Sequence, residues 1–135
     1  MIGESVYWKE PLLKAAIWLK RVRFRKNTRE STYVRIEKEI FIGFYGIRKL
    51  LDTVKVSDST KKETYELIWY PNIKPVNILY HYPLEEFYDM NLESKEIRDI
   101  RFICNLFIHS FIFVISGDNQ LEGVFVSSDK TKNTK

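Results

Sequence analysis

The chain has 135 residues, of which 44% are hydrophobic and 15% aromatic, a composition that excludes a disordered chain and fits one domain with its own core. Its single cysteine, Cys104, excludes an intramolecular disulfide and a cysteine-built zinc site within one chain, so a reducing, cytoplasmic setting is the expectation. The formal net charge is only +4, but Lys20, Arg21, Arg23, Arg25, Lys26 and Arg29 fall within ten residues that hold no acid, which marks the place where an anionic partner would meet the chain.

In chain order, the opening Met1-Ile-Gly-Glu-Ser lacks the basic and apolar regions of a secretory signal, so export is not expected. Between residues 5 and 22, Val6, Leu13, Ala16, Ile17 and Leu19 recur at helical spacing among Lys9, Glu10, Lys14 and Lys20, which predicts an amphipathic helix. Pro11 suits a first turn, so the helix is expected to begin near Glu10 and to leave Tyr7 and Trp8 as an aromatic lead-in. After the basic stretch, Asn27 or Thr28 is the expected N-cap of a second helix over 29–54, with Val34, Ile40, Phe41, Phe44, Ile47, Leu50 and Leu51 on its apolar face. On this reading Arg35, Glu39, Lys49 and Asp52 face water. Gly43 and Gly46 each cost such a helix about 1 kcal/mol relative to alanine. They are expected either to admit a neighbouring helix at close range, such as the one carrying His109, or to have no packing consequence.

Residues 56–63 are polar and aperiodic and read as a loop, whereas 64–70 and 76–82 are β-branched and aromatic runs separated by Pro71 to Pro75, and read as short strands. Pro83 is expected to open a helical turn over 84–89. Asn91 or Ser94 would cap a third helix carrying Ile97, Ile100, Ile103, Cys104 and Phe107 and ending near His109 or Ser110. The runs 111–115 and 121–126 flank Gly117-Asp-Asn-Gln120 and predict a β-hairpin, followed by a polar tail over 128–135. The longest apolar stretch, Leu106 to Ile115, has ten residues, half of the roughly 20 that a spanning helix needs, so no membrane partner is expected. The expected fold is therefore mainly α: a helical bundle within a single domain over 1–127, with short extended segments at about 64–82 and a C-terminal hairpin at about 111–126.

The residues that could carry chemistry lie on the third predicted helix. Asn105 and His109 are spaced i, i+4, which on a helix places them about 6 Å apart on one face. Arg98 and Arg101 extend that face into a polar stripe on an otherwise apolar helix. The segment Cys104-Asn105-Leu106-Phe107-Ile108-His109 resembles the Arg-Asn-x-x-x-His motif of the HEPN superfamily, small helical-bundle proteins of RNA-cutting toxins and defence systems, with Cys104 standing where the arginine would be. The resemblance implies that His109 would work on a ribose 2′-OH or a leaving oxygen, a task that suits an imidazole with an ordinary pKa near 6.5. It also implies an arginine that stabilises charge on the phosphate, a role a thiol cannot take. Arg101 is the remaining candidate on that face, although helix rise puts it about 12 Å from His109.

The expectation drawn from the resemblance is a weak or inactive metal-independent endoribonuclease of an RNA-directed defence or toxin–antitoxin system, acting by binding RNA or a protein partner. Its candidate catalytic residues are His109, Asn105 and Arg101, and its candidate RNA-binding residues are Lys20, Arg21, Arg23, Arg25, Lys26 and Arg29. The alternative is a structural or protein-interaction module in which Asn105 and His109 are buried polar groups that fix the helix. No cofactor is expected. No metal site is expected either, since His81 and His109 are the only histidines and neither has carboxylates at ligand spacing. Glu85, Glu86 and Asp89 read as a solvated face rather than as paired catalytic acids. Trp8, Trp18, Trp69, Phe87 and Tyr88 exceed what one small core hides, which predicts a homodimer.

Overall fold

A computed structural model describes residues 6–71 and 88–128. Its elements in order are α1 (Val6–Arg21), α2 (Glu30–Leu51), α3 (Asp58–Lys61), β1 (Thr64–Trp69), β2 (Ser94–Asp99), α4 (Ile100–Ile108), β3 (Ser110–Ser116) and β4 (Gly123–Ser128). The architecture is mainly α with a C-terminal β-hairpin, as the hydrophobic pattern predicts. The predicted run 76–82, His81, the carboxylates Glu85 and Glu86, and most of the predicted turn 84–89 and of the polar tail lie outside the described residues.

α2 is the centre of the molecule. Ile36, Ile40, Leu50 and Leu51 are buried along its inner side, and Ile36 and Ile40 meet Phe24, Ile103 and Phe107 in one core cluster. Aromatic contacts bind α2 to α4: the Phe44 and Phe107 rings stack at 4.1 Å between centroids and 8° between planes, and Phe41 meets Phe107 edge-on. Phe41 also reaches Phe113 of β3 at 5.0 Å, so one side chain joins both helices to the hairpin. Each such ring pair adds about 0.5–1.5 kcal/mol to the burial of its apolar area.

α1 begins one turn earlier than Pro11 suggests, at Val6. The proline removes the hydrogen bond to the Tyr7 carbonyl, but the first turn is held from outside. Trp8 lies against Gly46, and Leu12 against Gly43, while Lys9 Nζ donates to the Lys55 carbonyl at 2.8 Å. The two glycines of α2 therefore face α1, not the helix that carries His109. The N-cap of α2 is Arg29, with no side-chain cap hydrogen bond. Thr28, an expected cap, instead accepts from Arg25 N through Oγ1 at 2.6 Å. The predicted loop 56–63 contains the single turn α3, because Ser57 caps it by accepting from Thr60 N.

The largest departure concerns residues 94–99, predicted as the start of a helix and found as β2, paired antiparallel with β1 from Thr64↔Asp99 to Trp69↔Ser94. Two causes act together. Pairing satisfies one edge of β1, which would otherwise be open on both sides, and Asp99 starts α4 only at Ile100, its side chain accepting from Phe102 N at 2.9 Å. β3 and β4 pair antiparallel with a register shift between Ser110 and Ile112. Their connection requires Gly117, whose φ is +142° and where an added Cβ would lie 1.9 Å from the Gln120 carbonyl oxygen.

An alanine methyl at Gly46 would sit 3.5 Å from the Trp8 ring, an ordinary contact. Gly46→Ala is therefore expected to raise stability by up to about 1 kcal/mol through helix propensity alone, whereas Gly46→Leu is expected to lower it by forcing α1 outward. Denaturant midpoints of the two variants against wild type measure both signs.

Candidate functional site

The predicted polar stripe is only partly assembled. Arg98 lies on β2 rather than on the helix, where its guanidinium pairs with Glu96 and sits 4.4 Å from the centroid of the Phe102 ring. Asn105 and Arg101 share α4, and His109 is its C-cap, with His109 N donating to the Asn105 carbonyl at 3.0 Å. The His109 side chain is exposed and that of Asn105 half-buried. Neither is sealed in the core.

Arg48 of α2, which lies outside the motif and which its sequence context does not single out, completes the arrangement. It donates through Nε to Asn105 Oδ1 at 3.3 Å and through Nη1 to Asp52 Oδ2 at 2.7 Å. Arg101 donates to the other oxygen, Asp52 Oδ1, at 3.0 Å. Asp52 faces water as predicted and is also clamped between two guanidiniums, which ties the end of α2 to α4. The spacing of Arg48 and Asp52, i, i+4, is the available signal for their pairing, and only the crossing of α2 over α4 brings in Arg101 and Asn105. Arg101 is consequently engaged as an ion-pair partner rather than directed at His109.

Cys104, at the motif's arginine position, is fully buried. Burial pushes its thiol up to about 11, against the opposing pull of Arg48 and Arg101. It stays protonated at neutral pH and is no nucleophile. Among the described residues no three His, Cys, Asp or Glu side chains gather where they could hold a metal ion, and no helix is long and apolar enough to cross a membrane.

The basic segment is built by alternation. Val22 is half-buried and Phe24 buried, while Lys20, Arg21, Arg23, Arg25, Lys26 and Arg29 are exposed. Phe24 stacks on Tyr33 at 5.3 Å, and its backbone N donates to the Asn119 carbonyl at 2.7 Å, beside a bridge between Arg23 and Gln120. The tip of the β3–β4 hairpin therefore holds the turn. Thr28 N donates back to the Arg25 carbonyl, which closes the turn into a compact shape. Arg23 donates to the carbonyls of Lys20 and Val22 at 3.0 and 3.1 Å, so it shapes the segment, and no ion pair joins any of the six cations to a described carboxylate.

Two outcomes are expected here. Cys104 should resist alkylation in the native protein and react fully on unfolding, and Cys104→Arg should cost about 3–5 kcal/mol, because it buries an unpaired charge; mass spectrometry after iodoacetamide and a melting curve read the two effects. The hydrogen bond from Arg101 first, then the hydrogen bond from Arg48 and the charges of both, hold the Asp52 carboxyl below its ordinary 3.8 against the opposing effect of desolvation. Its contribution to stability is thus present above that ordinary value and lost as pH falls through the lowered one. Asp52→Asn should therefore flatten the acid end of the stability profile below about pH 4, measured by unfolding at a series of pH values.

No protein-family model, curated protein or solved structure matches the chain.

Proposed function

We propose that this chain is a HEPN-like domain of an RNA-directed defence or toxin system that holds RNA by its phosphate backbone without cutting it. The observation that carries the reading is the docked basic turn, six exposed cations without an acidic partner among the described residues. Such a surface attracts a polyanion, and binding gains from the counterions it releases. The absence of cutting follows from the other site. The motif position that calls for a fixed cation holds a buried neutral thiol, so the helix that carries His109 offers no adjacent cation to a phosphate in a cleavage transition state.

The helical-bundle arrangement, the cytoplasmic setting and the homodimer belong to the same proposal. α2 flanked by α1 and α4 supports the first, the lone free thiol of Cys104 the second, and the exposed apolar side chains Val6, Tyr7, Leu13 and Ile17 of α1 the third. The rival reading, a buried Asn105–His109 pair in a purely structural module, finds no support at His109, whose side chain is exposed.

The test is fluorescence anisotropy with a labelled single-stranded RNA across a salt series. Four backbone contacts should give a log–log salt slope of about −3, taking about −0.7 per phosphate for single strands. Replacing Arg21, Arg25, Lys26 and Arg29 by glutamine, which spares the shape-giving Arg23, should abolish binding without lowering the melting temperature. His109→Ala should leave both affinity and stability within about 0.5 kcal/mol of wild type. Equal RNA retention by the quadruple variant would overturn the basic turn as the site, and cleavage by wild type that His109→Ala removes would overturn the non-cutting assignment.

A further inference from the structure

Arg48 and Arg101 converge from two helices on the carboxylate of Asp52, and Asn105 holds Arg48 in place by accepting from its Nε. We propose that Arg48 and Arg101, with Asn105 positioning Arg48, form a phosphate-binding site for which Asp52 is the built-in competitor, so that the site opens when a phosphate group displaces the Asp52 carboxylate. This site goes beyond the RNA reading, because it uses none of the residues of the basic turn.

Donor geometry is the first support. Arg48 Nη1 and Arg101 Nη1 each donate to a different oxygen of the same carboxylate, at 2.7 and 3.0 Å. Two guanidiniums aimed at two oxygens of one anion form a fork that a phosphate fits as well as a carboxylate does. Arg48 is further fixed by its Nε hydrogen bond to Asn105 Oδ1 at 3.3 Å.

Charge and access point the same way. Two cations around one carboxylate leave a net positive charge, which attracts an incoming phosphate. All three charged side chains are open to solvent, with Arg48 27%, Arg101 42% and Asp52 54% exposed. A phosphate can therefore reach the donors without any element of the fold moving, and an exposed ion pair exchanges partners readily. Asp52 is the C-cap of α2, so its side chain can swing aside while the helix stays intact.

The experiment titrates inorganic phosphate at constant ionic strength into wild type, Asp52→Ala and Asp52→Asn, following the side-chain amide of Asn105 and the Nε–H of Arg48 by NMR. Asp52→Ala should bind phosphate at least about tenfold more tightly than wild type, and adding Arg48→Gln or Arg101→Gln should cancel the gain. Asp52→Asn keeps the shape of the side chain and shows the same gain in direction should the alanine variant fold poorly. A nucleoside 5′-monophosphate and a dinucleotide with only an internal phosphodiester then separate the sources. A gain confined to the first assigns a terminal phosphate, and a gain with both assigns the backbone. Folded Asp52 variants that bind phosphate no better than wild type, or a gain that survives loss of either arginine, would overturn the proposal. Failure here leaves the basic turn untouched, and failure of the quadruple basic-turn variant leaves this site untouched.

Discussion

The fold depends on the packing of α2 against α4, and within it on the stack of Phe44 on Phe107. α4 has only nine residues, too few to hold a helix by its own hydrogen bonds in water. Its existence relies on burying Ile103, Cys104 and Phe107 against α2. The same contact sets where Asn105 and Arg101 emerge, because residues on the flank of a short helix have no freedom once its inner face is seated. The polar cluster at Asp52 is thus a by-product of an apolar contact one helical face away, and its precision comes from the core rather than from the weak exposed ion pairs themselves.

The hydrophobic pattern makes much of this readable in advance. α2, the strand at 64–69 and the terminal hairpin all follow from runs whose period and turn residues agree, and Gly117 marks the one turn that only glycine can make. What stays hidden depends on contacts distant in sequence. Nothing local in Ser94 to Asp99 says strand, and the preference is decided by β1, about 30 residues earlier and in need of a partner. Likewise the period of α2 places Asp52 on its polar side, but the second arginine arrives from α4, 49 residues on.

The motif at residues 104–109 shows why a short match has to be read in three dimensions. Its histidine is exposed and its asparagine half-buried, whereas Cys104, which stands where the resembled motif has an arginine, is not a surface position. The cysteine is a core residue with 0% exposure. An arginine there would need a different core, so the change of chemistry and the packing of α4 are one fact. The positive charge near that position comes from Arg48 of α2, which pairs with Asp52 at the C-cap of the same helix.

The hydrogen bond from Phe24 to Asn119 ties the basic turn to the terminal hairpin. It joins positions 95 residues apart, which makes this brace a product of long-range closure, the slowest class of contact to form. During synthesis α1 and α2 can pair as soon as both have left the ribosome, yet the turn between them lacks its brace until the terminal hairpin has emerged. A chain that ends before residue 119 keeps the local bonds of the turn but lacks the brace that ties it to the hairpin.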